Sequence, residues 1–144
     1  MAPNLPNETT FEEILAANTK DYSGEHEMFI KNALPLYKLC NNLLQSDRIT
    51  NDNRLRLFAA IGYFVIPDDI YPEDEYGPIG YIEDVLFALY VAKSIMSEHG
   101  FDILESNWIG DVNLLKQLIG TDYDDLKEEF KNTLKEVIDF TGVS

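Results

Sequence analysis

The stretch that decides the fold runs from residue 63 to residue 84 and reads Tyr63-Phe-Val-Ile-Pro67-Asp-Asp69-Ile-Tyr-Pro72-Glu-Asp-Glu-Tyr-Gly-Pro78-Ile-Gly80-Tyr-Ile-Glu83-Asp84. Between Pro67 and Gly80 it contains three prolines, two glycines and five acidic residues, a composition typical of a structured loop. Because a proline disfavours the α conformation in the residue before it, a helix that enters this stretch should end near Ile66. The stretch therefore predicts a loop that joins two helices.

Apolar residues on both sides of this loop recur at helical spacing. The helix before it is expected to start from a cap at Thr50 or Asn51, and its repeating residues are Leu55, Phe58, Ala59, Gly62 and Val65. The helix after it should end at Gly100, and its repeating residues are Ile82, Val85, Leu86, Leu89, Ala92, Lys93 and Met96. These patterns predict a central helical hairpin at about 52–66 and 81–98.

The N-terminal part of the chain also favours helices. Thr10 followed by Glu13 fits a capping box that opens a short helix reaching about Asn18. A second helical region at about 25–45 should break or kink at Pro35, because proline inside a helix removes a hydrogen bond. Residues 1–9 are predicted to form a flexible tail.

The C-terminal part adds three shorter helical segments. One or two turns are expected over 101–108, a helix capped by Asp111 ends at Gly120, and a last helix opens at Thr121. No segment shows the alternation of a strand. The sequence therefore predicts an all-α bundle of about six or seven helices, with residues 10–144 forming one domain.

Composition and charge exclude several classes of function. The net charge is −15, with 26 acidic against 11 basic residues, which opposes direct binding to nucleic acid or to anionic lipid. The longest mainly apolar run, Leu57 to Pro67, is far shorter than the roughly 20 residues that cross a bilayer. The N-terminus lacks a signal-peptide pattern, and the single Cys40 permits no intrachain disulfide. We expect a soluble, cytoplasmic protein.

The pattern of Tyr63, Pro67, Pro72, Pro78 and Gly80 with its paired acids resembles the signature of the YkvA-like family, a domain of unknown function. The later Trp108-Ile-Gly110-Asp111 is similar to an element that accompanies this signature, and the resemblance covers roughly residues 34–115. Two departures are that Pro72 to Pro78 replaces a shorter step and that Ile70 stands where the family has leucine. The resemblance implies a fold but no activity, and the membrane association described for some members disagrees with the charge and segment lengths here.

The acidic residues of this stretch support two interpretations. One is a site for Ca²⁺ or Mg²⁺ at Asp69, Glu83 and Asp84, because hard cations prefer carboxylate and carbonyl oxygens. The other is that Glu83 and Asp84 simply lie in a first helical turn, where acids are favoured, while residues 73–75 are solvated. No EF-hand spacing is present, so no cofactor is expected.

The residues give no catalytic set. His26 and His99 lack a zinc motif, and Cys40 lies on an apolar stripe, so all three are interpreted as structural. The leading hypothesis is a non-catalytic binding or regulatory module that engages a basic protein partner through the edge from Asp68 to Asp84. Its candidate contact residues are Asp68, Tyr71, Glu73, Asp74, Glu75, Tyr76 and Tyr81. The alternatives are a cation-dependent protein, structural or hydrolytic, and an inhibitor that mimics nucleic acid.

Overall fold

The computed structural model describes residues 10–65 and 80–142, and within these ranges every regular element is a helix. The prediction of an all-α bundle is confirmed. The helices in chain order are α1 (Phe11–Thr19), α2 (Glu27–Lys31), α3 (Ala33–Leu44), α4 (Asn51–Val65), α5 (Ile82–His99), α6 (Phe101–Asn107), α7 (Val112–Ile119), α8 (Thr121–Glu129) and α9 (Lys131–Thr141).

Local signals fix several helix ends as the sequence predicts. The capping box of α1 is complete, because the Glu13 amide donates to the Thr10 hydroxyl at 3.1 Å while the Glu13 carboxylate accepts from the Thr10 amide. The Thr50 hydroxyl accepts from an amide in the first turn of α4, and the Asp111 carboxylate does the same for α7. Gly100 ends α5 with φ of 95°, a conformation that favours glycine.

Two helix breaks raise the number of helices above the predicted six or seven. The first separates α2 from α3 at Asn32, whose side-chain amide donates to the Met28 carbonyl at 2.6 Å. Pro35 then lies in the first turn of α3, where its missing N–H has no helical acceptor to lose. The second break, at Phe130, separates α8 from α9. The first break therefore lies three residues before Pro35, where the sequence predicts a break or kink, whereas no glycine or proline marks the second.

Helix α5 forms the centre of the core. It packs against α2, α3, α4, α6, α7, α8 and α9. Every side chain from Ile82 to Leu89 is buried, so the first two turns of α5 have no solvent-facing side. The contact between α4 and α5 confirms the predicted central hairpin.

Candidate functional site

The first turn of α5 contains two adjacent buried carboxylates, Glu83 and Asp84, which are 1% and 0% exposed. The Tyr63 hydroxyl donates to a Glu83 carboxylate oxygen at 3.0 Å. Burying a carboxylate costs several kcal/mol unless donors or cations compensate, and the N-terminal turn of a helix favours negative charge. The two acids lie in the first turn as the sequence predicts, but they are part of the core and not a solvated surface.

The tyrosines around this turn are packed against other side chains. Tyr81 is 5% exposed, and its hydroxyl accepts a hydrogen bond from the Asn18 side-chain amide at 3.0 Å, which ties α1 to the start of α5. The Tyr63 ring contacts Phe87 and Phe140 edge-on, with centroids 5.9 and 6.2 Å apart. Tyr81 is therefore part of the interior, and we leave it out of any partner-binding surface.

The rest of the predicted acidic site lies outside the described residues. This holds for the candidate contact and metal residues Asp68, Asp69, Tyr71, Glu73, Asp74, Glu75 and Tyr76. It also holds for the signature prolines Pro67, Pro72 and Pro78. The roles proposed for these residues stay predictions.

An exposed apolar stripe on α4 is the surface feature that the sequence pattern did not identify. Leu55, Phe58 and Val65 are 63%, 58% and 49% exposed. They are part of the repeat that predicts α4, yet the buried face of the helix consists of Asn53, Leu57, Ala60, Tyr63 and Phe64. Apolar side chains thus occupy two faces of α4, and only one of them packs on the core.

The other end of the hairpin is fixed by a polar contact. Asn53, at the start of α4, is completely buried and its amide donates to the carboxylate of Glu98 in the last turn of α5. The Arg56 guanidinium donates to the side-chain oxygen Oδ1 of Asn53 at 2.8 Å. His99 Nε2 lies 3.7 Å from the Glu98 carboxylate. The contact between Asn53 and Glu98 joins α4 to α5 and keeps the face of α4 with Asn53 toward the core.

Cys40 is 1% exposed in α3, and burial raises the pKa of its thiol to about 12. A thiolate nucleophile does not form at neutral pH in such a site. Cys40 therefore packs in the core as a small apolar side chain.

Trp108, Gly110 and Asp111 form a compact turn between α6 and α7. Trp108 is 8% exposed, and its indole N–H donates to the Asp111 carbonyl at 3.0 Å. A Cβ atom on Gly110 would lie 3.0 Å from the indole nitrogen, so the turn is closed tightly around the ring. This part of the signature anchors α7 to the core.

Comparison with known proteins places the hairpin in a family. Residues 53–90 match the family described as "Protein of unknown function (DUF1232)". The "Uncharacterized protein ORF9" of Methanothermobacter thermautotrophicus is 33% identical over 108 residues, which are 75% of this chain and 71% of ORF9. This chain belongs to the same family as ORF9. No solved structure matches the chain.

The family model covers the central hairpin, and the match to ORF9 extends beyond it. Residues 53–90 extend from the first turn of α4 to the middle of α5, so they include the exposed stripe, Tyr63 and the two buried carboxylates. The Trp108 turn lies outside this segment. No helix in the described parts of the chain is long and apolar enough to cross a membrane.

Proposed function

We propose that this protein is a non-catalytic binding module that engages a basic, amphipathic segment of a partner protein. The proposed surface, which we call the α4 surface, consists of Leu55, Phe58 and Val65 together with the acidic residues that follow α4. The exposure of these three apolar side chains on one helix is the observation that carries the proposal. Tyr81, Glu83 and Asp84 are buried, so they are not part of the proposed surface. The surface keeps the other acidic residues of the predicted edge and adds the exposed residues of α4.

The apolar half of the α4 surface has the geometry of a helix-binding face. At 100° per residue, positions 55, 58, 62 and 65 fall within an arc of about 80°. Position 62 is glycine, and a Cβ atom placed there would meet nothing within 4 Å. A partner helix therefore has space to approach the α4 backbone between Phe58 and Val65. Apolar anchors at this spacing are the usual way in which a helix is recognised in a groove or on a face.

The acidic residues that follow α4 indicate that the partner segment is basic. No lysine or arginine occurs between Arg56 and Lys93, whereas this interval includes Asp68, Asp69 and residues 73–75, all acidic. In sequence, Asp68 and Asp69 follow Val65, the last apolar residue of the stripe, within four positions. A segment with lysine or arginine beside its apolar residues would satisfy both halves of the surface, and the charges would also accelerate its association.

The proposal is tested by affinity capture with variants of the α4 surface. Phe58→Asp and the charge reversal of Glu73, Asp74 and Glu75 to lysine should each remove a partner that the native protein retains. Ile109→Asp is the matched control, because Ile109 is as exposed as Leu55 at 63% but lies in the turn before α7. A captured protein supports the proposal only if its purified basic segment binds with at least tenfold lower affinity to Phe58→Asp than to Ile109→Asp. Equal binding by these two variants would overturn it.

A second candidate function is cation binding beside the first turn of α5. The observation that favours it is the complete burial of two adjacent carboxylates, Glu83 and Asp84, since a divalent cation is one way to compensate such a pair. Asp69 remains the proposed third ligand. Ca²⁺ or Mg²⁺ should then raise the melting temperature of the native protein but not of Asp84→Asn. Absence of any thermal shift with Ca²⁺, Mg²⁺ and Mn²⁺ would exclude this candidate and leave the first untouched.

We also propose that the protein is cytoplasmic and that it is a YkvA-like member of its family. The single Cys40 supports the location, and the proline signature around Pro67 and Pro72 supports the YkvA-like resemblance. Cell fractionation with an antibody against the native chain tests the location. Recovery in the membrane fraction after a high-salt wash would contradict it.

A further inference from the structure

Glu25, His26 and Glu129 bring three metal-binding side chains together on the side of the molecule formed by α2 and α8. One ligand atom of each residue lies within 4.8 Å of the others. His26 Nε2 and a Glu129 carboxylate oxygen are 3.1 Å apart, although the two residues are separated by 103 positions in sequence. The cluster is therefore assembled by the fold and is invisible in any local motif.

The imidazole of His26 is held in place, whereas the carboxylates can move. His26 precedes α2 in a left-handed conformation with φ of 59° and ψ of 30°, which directs its side chain toward α8. Its ring packs edge-on against Phe130 at 5.3 Å, and its side chain is 17% exposed. The Glu129 side chain is 53% exposed. A fixed nitrogen ligand with adjustable oxygen ligands permits small closing movements around an ion.

A cleft of about 400 Å³ lies against the cluster. Its lining includes His26 and Glu129 and three further acids, Glu27, Asp122 and Asp125. The surrounding carboxylates raise the local concentration of cations, and the open side of the cleft leaves room for water or another ligand on a bound ion. The cleft is remote in sequence from the α4 surface and from Glu83 and Asp84.

We propose that Glu25, His26 and Glu129 bind a divalent first-row transition metal ion, with Zn²⁺ as the representative. One imidazole with two carboxylates is a donor set for Zn²⁺ and its neighbours, whereas Ca²⁺ and Mg²⁺ take oxygen ligands. Ligand atoms around a tetrahedral Zn²⁺ lie about 3.3 Å apart. The contact between His26 and Glu129, at 3.1 Å, is already close to that separation. Rotation of the exposed Glu25 side chain brings its carboxylate to the same separation. The ion links the segment before α2 to the end of α8.

Titration of the chelator-stripped full chain with ZnCl₂ by calorimetry tests this proposal. The native protein should bind one ion, and saturation at about 100 times the dissociation constant should raise the melting temperature by roughly 5–10 °C. His26→Asn and Glu129→Gln should each weaken binding at least tenfold. Asparagine is chosen at position 26 because it tolerates the left-handed backbone conformation.

Two matched variants control for loss of a histidine and loss of a charge. His99→Asn removes the only other histidine, and Glu128→Gln removes a carboxylate that is 76% exposed beside Glu129. Both should bind Zn²⁺ as the native protein does. A dissociation constant above 100 µM, or equal binding by Glu129→Gln and Glu128→Gln, would overturn the proposal. If circular dichroism shows that His26→Asn does not fold, the comparison of Zn²⁺ binding by Glu129→Gln and Glu128→Gln is sufficient to test the proposal. Both of these side chains are exposed, so neither substitution should disturb the fold.

Discussion

Leu55 and Leu57 offer a direct comparison of the two faces of α4. Both are leucines in the same helix, two positions apart, but Leu55 is 63% exposed and Leu57 is 0% exposed. The same substitution, leucine to alanine, can therefore be made at both positions. Because leucine and alanine have similar helix propensities, the difference between the two variants reports burial and not helix formation.

The expected magnitudes differ by several kcal/mol. Truncating a fully buried leucine to alanine removes its transfer free energy and leaves a cavity, which together cost about 2–5 kcal/mol of unfolding free energy. Truncating the exposed Leu55 should cost less than about 0.5 kcal/mol. For 144 residues the unfolding entropy is about 0.3 kcal/mol/K, so a loss of about 3 kcal/mol at Leu57 lowers the melting temperature by about 10 °C. The shift for Leu55→Ala should stay below about 2 °C.

Urea and thermal unfolding followed by circular dichroism at helical wavelengths measure both variants. Phe58→Ala is a second exposed-face control, since Phe58 is 58% exposed. Losses at Leu55 and Leu57 that agree within about 1 kcal/mol would refute the assignment of the buried face. That result would also remove the basis for the proposed α4 surface, because Leu55 would then be packed in the free protein.

Two further predictions concern buried polar groups. Because burial raises the pKa of Cys40 from 9.0 to about 12, its stabilising contribution is complete below pH 9 and is lost as the pH rises toward 12. Between pH 8 and 11 the native protein should lose roughly 3 kcal/mol more unfolding free energy than Cys40→Ala, measured by urea titration at both pH values, and parallel losses would contradict this. Tyr63→Phe removes the donor to the buried Glu83 carboxylate and should cost about 1–3 kcal/mol in the same assay, whereas an unchanged midpoint would show that the 3.0 Å contact adds no stability.

The helices could be predicted where a local signal marks their ends. Thr10 with Glu13, Asp111 and Gly100 each act through hydrogen bonds or backbone conformations within a few residues, so sequence alone identifies them. The break at Asn32 also has a local signal nearby, because Pro35 lies in the first turn of α3. The break at Phe130 has none, and Phe130 packs against His26 from the other end of the chain. A break of the second kind requires the tertiary structure.

The candidate surfaces were harder to predict than the helices for the same reason. Helix α4 has apolar residues on more than one face, and the apolar period identifies a helix without saying which face packs on the core. In the structure the buried contact between Asn53 and Glu98 selects the face with Leu57. The positions of Glu83 and Asp84 in a helical turn follow from sequence, but their burial results from the packing of other helices around α5.

The two proposals differ in how they relate to the family. The α4 surface begins inside residues 53–90, the segment that matches the family, and continues into the acidic residues of the same segment. Glu25, His26 and Glu129 all lie outside it. If the shared segment carries the shared function, that function belongs to α4 and its acidic continuation. The proposed metal site lies outside that segment and links two parts of the chain that flank the hairpin.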